Sequence, residues 1–302
     1  MAITTIALET PSLWRQYLEL CKPKVVLLIV FTSLVGMILS SPTLISLELI
    51  FFANLGIGLA AASGAAINHW VDQKIDAEME RTHNRPLPTG GISSVSAISF
   101  ALILCVLSMV ILLATTNPLT ALLTFISIIG YAVIYTMFLK RWTPQNIVWG
   151  GAAGAAPPLL GWAAVTGEVN TEALLLFLII FIWTPPHFWA LAIRRRDDYA
   201  KVNVPMLPVT HGIPFTKVQV LLYTFMLLAV TLIPFAIQMT GLIYLAGAVA
   251  LGLGFIYHAF KLYRCEGDEH AMKTFGYSIF YLTALFGFLL TDHYVRMIIR
   301  SF

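Results

Sequence analysis

An all-α protein that crosses a membrane nine times is the fold class this sequence predicts, on three observations. Its 302 residues are 59% hydrophobic and 11% charged, with a mean hydropathy of +0.84, outside the range of water-soluble domains. Nine mostly apolar stretches, each near the ~20 residues that a spanning helix needs, are separated by short polar breaks. With the N-terminus in the cytoplasm, Arg296 and Arg300 are the only Lys or Arg outside, so 16 of the 18 lie on the inner face.

The elements follow in order. Spans over 24–42 and 48–68 lead into the charged stretch NHWVDQKIDAEMERTHNRPLPTG, Asn68 to Gly90. Spans over 95–114 and 119–138 are joined outside by TTNP and end inside at Lys140 and Arg141. Spans over 147–165 and 173–193 are joined by TGEVNT, and the second of them runs into RRRDDY on the inner face. The last three spans cover 217–238, 241–260 and 275–293, which leaves the C-terminus outside. The chain is expected to be one domain over 1–302, with a cytoplasmic N-terminal segment over 1–20.

Composition removes several functional classes. The net charge of +3 is dispersed over inner loops, so no nucleic-acid partner is expected. Cys21, Cys105 and Cys265 are far apart and form no CxxC pair, which argues against a disulfide framework or a zinc site. The first 20 residues lack a basic n-region and a small-residue cleavage site, and with Arg15 alone they make a poor transit peptide. A bacterial plasma (inner) membrane is the expected location, with the lipid bilayer as a partner.

The two long inner loops resemble each other. RPLPTGGIS at 85–93 can be laid beside VPMLPVTHGIP at 204–214, each closing a charged segment ahead of a new helix. This suggests an internal repeat of helices 1–4 and 5–9, with the two loops facing each other over one cavity.

Asn68, Asp72 and Asp76 are spaced i, i+4, i+8. In a helix each step drifts about 40° and rises about 6 Å, so three oxygen-bearing side chains line one stripe. Hard oxygen donors in a row suit magnesium, which takes one or two carboxylates and completes its shell with water and phosphate oxygens. The competing reading pairs these acids with Lys74 or Arg81 in a solvated loop, but carboxylates at a membrane edge are costly and mark function. Arg81 and Arg85 follow, and arginine forks match phosphate oxygens. Lys140 lies on the same side; for Arg141 plain membrane anchoring is the simpler reading. In the second loop Arg194 to Arg196 precede Asp197 and Asp198, again mixing phosphate-type and metal-type partners. His187 lies deeper, after Pro185 and Pro186 and between Trp183 and Trp189. A histidine in a helix is more often hydrogen-bonded structure than a ligand, yet its membrane setting and aromatic neighbours suit a flat ring-shaped partner.

Taken together, N-x-x-x-D-x-x-x-D with MERTHNRPLP, then NIVWGGAAGAAPPLLGW, WTPPHFWALAIRRRDDY and VPMLP, resemble the UbiA-type intramembrane prenyltransferase superfamily in its haem-specific branch, over about residues 15–295. The resemblance implies a nine-helix bundle around a central cavity, capped on the cytoplasmic side by loops 2–3 and 6–7. It implies transfer of a farnesyl group from farnesyl diphosphate to a vinyl group of haem B, with water added, giving haem O and diphosphate. Asn68, Asp72 and Asp76 would hold the diphosphate through magnesium, with Asp198 as a further ligand. Arg81, Arg85, Lys140, Arg194, Asp197 and Asp198 would serve the diphosphate. The haem contact is open between His187, the leading choice, and His69, His83 and His211. The second motif departs from the D-x-x-x-D of quinone prenyltransferases, which leaves a second magnesium short of carboxylates.

Three other readings compete: a prenyltransferase of the same fold with another aromatic acceptor, a cation-coupled transporter, and a haem-insertion factor without catalysis. Expected partners of the leading reading include a terminal oxidase assembly or a haem A synthase.

Overall fold

Side-chain caps and prolines start the helices of residues 12–300, the part of the chain that the computed structural model describes. The first eleven residues of the expected N-terminal segment lie outside the described residues. Every regular element among those described is helical: α1 (Leu13–Leu20), α2 (Pro23–Leu39), α3 (Leu47–Glu78), α4 (Ser94–Thr115), α5 (Pro118–Ile128), a π-helical segment (Ile129–Leu139), α6 (Lys140–Trp142), α7 (Asn146–Thr166), α8 (Thr171–Arg194), α9 (Arg196–Lys201), α10 (Leu207–Thr210), α11 (Gly212–Ala236), α12 (Leu242–Arg264) and α13 (Ala271–Arg300). Ser46, Ser93, Asn117 and Asn170 accept from backbone N–H groups three residues on, opening α3, α4, α5 and α8.

Among the described residues seven helices are long and apolar enough to cross a membrane; α1 and α2, bent by 49°, make an eighth if they form one span. The helices are those of a multi-pass membrane protein. α7 has 21 residues, but its Gly, Ala and Pro lower its hydropathy, and the count of nine is not reached by this measure.

Two elements depart from the expected boundaries in ways that matter for the site. The second apolar stretch ends at Asn68 in sequence, yet α3 continues as helix to Glu78. At ~1.5 Å per residue its 32 residues reach about 48 Å, well beyond a ~30 Å hydrocarbon layer. The continuation is favoured by the helix formers Gln73, Lys74, Ala77 and Glu78. The fourth stretch winds as a π-helix over Ile129–Leu139, a rare form that is frequently found at functional sites.

The helix α7 packs between α2 and α8. A Cβ at Gly36 would overlap the carbonyl oxygen of Pro158, and one at Gly161 that of Ser33, so glycine at both positions lets the backbones of α2 and α7 approach closely. Charges from neighbouring helices fasten both ends of α12. Asp292 of α13 accepts from Gly241 N (2.6 Å) and Tyr244 N (3.2 Å), supplying the cap that Gly241 has no side chain to provide. Lys217 of α11 donates to Cys265 O (2.6 Å). An acid at the N-terminus and a base at the C-terminus complement the helix dipole.

One apolar cluster gathers Trp162, Leu176, Ile179, Tyr244, Phe255, Tyr281 and Phe286. A second, toward the opposite end of α8 and α12, gathers Met79, Ile147, Trp189, Ile193, Tyr199, Val204, Met206 and Leu207. This second cluster brings the end of α3 against the segment that follows α8. Gly90 (φ +75°), ahead of α4, and Gly212 (φ +81°), the first residue of α11, both take the left-handed backbone, a conformation that glycine adopts readily.

Candidate active site

The stripe on α3 is buried: Asn68, Asp72 and Asp76 are 5%, 2% and 4% exposed. Asn68 Nδ2 donates to Asp72 Oδ2 at 2.8 Å, as their one-turn spacing allows. Lys140 Nζ, at the end of the π-helical segment, donates to the same oxygen at 2.6 Å. Arg85 Nη1 reaches back to Asp76 Oδ2 at 2.7 Å. Two carboxylates and two cations therefore stand in one buried cluster, and the amide of Asn68 extends it. Thr136 Oγ1 receives Asn68 Nδ2 at 3.3 Å and donates to Tyr131 O, five residues back, at 2.7 Å. The π winding thus carries both Thr136 and Lys140 to the stripe.

Lys22 is the residue that sequence reasoning missed. Its Nζ donates to Asn68 Oδ1 at 2.6 Å, from a left-handed backbone (φ +50°) between α1 and α2. A non-glycine residue in that region is uncommon and marks a constrained position. In sequence it reads as one more inner-face base; the signal was its place against Pro23, where the helix must break and redirect the side chain. Thr136 had a weaker signal, a polar residue late in an apolar stretch.

The second charged segment is distributed differently. Asp198 is buried beside Arg195, 3.5 Å away. Next to it, burial pushes the Tyr199 hydroxyl pKa up, while Arg81, Arg195 and Arg85 pull it back and Asp198 adds to the rise. Arg81 and Arg85 from one loop therefore act on the same hydroxyl as Arg195 and Asp198 from the other. Arg194 points away from this place and pairs with Asp268 at 3.0 Å. Asp197 has a side chain 90% exposed, with Arg196 at 4.0 Å.

His187 is buried in α8, stacked on Trp183 at 4.2 Å and on Phe275 at 4.6 Å between ring centroids. Its Nδ1 lies 2.6 Å from Ser278 Oγ. The Ser278 hydroxyl donates to Phe275 O at 2.6 Å, so it accepts from His187 Nδ1–H. The lone pair is thereby left on Nε2. Among the other histidines, His69 is buried, and His83 and His211 are exposed.

The oxygen donors fit a hard divalent cation. Asp72 Oδ1 is buried and has no hydrogen-bond partner, and Asp198 Oδ2 likewise accepts none. Among the described residues no three His, Cys, Asp or Glu side chains converge as a cage. Magnesium does not require one, since it keeps waters and uses one or two carboxylates with substrate phosphates.

The fold is similar to that of a UbiA homologue from Aeropyrum pernix, with a TM-score of 0.73 at 16% identity over 90% of this chain and 98% of that one. It is also similar to a UbiA homologue from Archaeoglobus fulgidus bound to DMAPP and Mg2+, with a TM-score of 0.61 at 16% identity over 91% of this chain and 99% of that one. These likenesses define the class of fold, that of the UbiA-type intramembrane proteins. Residues 29–285 match the UbiA prenyltransferase family. A relative from Thioalkalivibrio sulfidiphilus, named protoheme IX farnesyltransferase, is 64% identical over 98% of both chains. Another of that name, from Nitrosococcus oceani, is 61% identical over 97% of this chain and 99% of its own. The chain belongs to the UbiA prenyltransferase family and is a prenyltransferase enzyme.

Proposed function

We propose that this chain transfers the farnesyl group of farnesyl diphosphate to a vinyl group of haem B, with addition of water, giving haem O and diphosphate. Relatives at 64% and 61% identity carry the corresponding name. The observation in the site that carries the reading is the buried row Lys22–Asn68–Asp72–Lys140, in which cations flank a carboxylate that still has one oxygen unpartnered.

Lys22, Arg85 and Lys140 stabilise the negative charge that grows on the departing diphosphate as the allylic carbon–oxygen bond breaks and its electron pair leaves with oxygen. Fixed charges in a water-poor site do this without reorganising. Arg81 is read as an outer contact to the same group, with Arg194 and Asp197 at the rim, where they would act on it only on turning inward. A magnesium ion, held by Asn68, Asp72, Asp76 and Asp198, supplies Lewis-acid neutralisation of the diphosphate when bound. The vinyl π pair then forms the new carbon–carbon bond, water adds to the adjacent carbon, and one proton is released. His187 presents Nε2 to the haem iron or ring, with Ser278 holding its tautomer. The apolar surroundings limit capture of the allylic cation by water before the vinyl group reaches it.

We read nine spans, counting α7 and the bent α1–α2 pair with the seven. The loops after α3 and α8 form a cap on the cytoplasmic side, supported by the packing of Met79 with Tyr199, Met206 and Leu207. The N-terminus is cytoplasmic and the C-terminus external, in a bacterial inner membrane, as the distribution of Lys and Arg supports. The product passes to a terminal oxidase assembly or a haem A synthase.

Purified protein given farnesyl diphosphate, Mg2+ and haem B should yield a hydroxyethylfarnesyl haem by mass spectrometry. Product formed only with a hydroxybenzoate acceptor would overturn the assignment.

A further inference from the structure

A cavity of about 380 Å³ lies where α1 meets α2, beside α3. It is lined by Arg15, Lys22, Lys24 and Arg85 against a single acid, Glu19, with Leu18, Pro23 and Val25 as its apolar wall and His69 completing it. Asn68, Asp72 and Asp76 do not line it. His69 follows Asn68 directly and so projects about 100° around the helix from it. His69 is 2% exposed, and neither ring nitrogen has a hydrogen-bond partner. A buried imidazole without partners is costly unless a ligand or water satisfies it.

The surroundings say what kind of ligand. Leu13, Trp14 and Leu18 of α1 are exposed, whereas Leu20 is fully buried and Tyr17 packs on Phe100 at 4.9 Å. With its 49° bend against α2, α1 has the character of a helix lying along the membrane interface, where Trp and basic residues gather. Val25 is exposed, and half-buried Leu28, three residues on and on the same face, continues the apolar track down α2. Cations above an apolar track match a phosphate on an acyl chain.

We propose that this cavity is a binding site for the headgroup of an anionic phospholipid. The phosphate sits between Arg15 and Lys24, the His69 ring turns an N–H toward one of its oxygens, and Glu19 accepts from a headgroup hydroxyl. The acyl chains run along Val25 and Leu28. The site adjoins the catalytic cluster through Lys22 and Arg85, so an occupied headgroup braces the two cations that face the acids.

The test reads binding directly, so it stands apart from the proposed reaction. The full-length protein is reconstituted in phosphatidylcholine vesicles containing phosphatidylglycerol, extracted in neutral detergent, and its retained lipid is measured by native mass spectrometry. The wild type should retain phosphatidylglycerol in preference to phosphatidylcholine. Arg15→Gln and Lys24→Gln should each weaken retention about five-fold, with turnover in pure phosphatidylcholine vesicles unchanged. His69→Phe should weaken retention as well. Equal retention by wild type and the Arg15→Gln/Lys24→Gln double variant overturns the proposal, as does retention without preference for the anionic lipid. Displacement of the lipid by inorganic diphosphate alone also overturns it, because the cavity would then belong to the diphosphate site.

Discussion

Two segments that both mix acids with bases meet different fates. Between Asn68 and Arg85 the acids and bases converge, with Asp72 and Asp76 buried and paired to Lys140 and Arg85. Between Arg194 and Asp198 they scatter, toward Asp268, toward Pro208 O and into solvent, and Asp198 alone is buried. Spacing explains the contrast. Residues four apart on an unbroken helix share a face, whereas five consecutive residues point about 100° apart from one another. The helix also breaks at Arg195, which ends α8 ahead of α9. Convergence therefore follows the interval between charges rather than their number.

Substitutions in the two segments should separate by orders of magnitude. Asp72→Asn is expected to lower kcat about a thousand-fold, the several kcal/mol that a metal-neutralised leaving group is worth. The measurement is haem O formation by purified, inserted protein, and near-normal turnover would sink the acidic stripe as the metal site. Lys140→Met should cost about a hundred-fold in kcat. It should also lower stability by roughly 3–5 kcal/mol, because Asp72 would be left buried without its cation; a thermal melt with and without Asp72→Asn in the same chain reads the second effect.

Ser278→Ala tests His187, which lies deeper in α8 than the second segment. Freeing the His187 tautomer should weaken haem binding about ten-fold and alter the haem absorption spectrum, with the KM for farnesyl diphosphate unchanged. An unaltered spectrum would leave His187 a packing residue. The smallest effect is expected at Asp197→Asn, within about two-fold of wild type, since an exposed pair such as Asp197 with Arg196 contributes little. A large loss there would mean that the second segment closes over substrate in a form other than the one described.

The location of the candidate site was legible in the intervals of the sequence. The i, i+4, i+8 pattern names Asn68, Asp72 and Asp76, and a membrane-edge cluster of charge is costly enough to require a purpose. Lys22 and Thr136 were not legible as site residues. One depends on a left-handed break ahead of Pro23, the other on a π-helical winding, and neither backbone state is dictated by residue type. Arg194 shows a different limit of sequence reading: its place in RRRDDY groups it with the site, whereas its guanidinium pairs with Asp268.

By itself the sequence determined the class, an all-helical multi-pass membrane protein, because apolar run length and charge placement are one-dimensional properties that the bilayer reads directly. It also determined the acidic stripe, because helical periodicity is local. Only the tertiary structure decided which cation meets which acid, which way the His187 lone pair points, and that His69 stands unpartnered in a basic cavity beside α1. Those are relations between residues as far apart as 91 positions, as with His187 and Ser278, and only packing brings them within hydrogen-bonding distance.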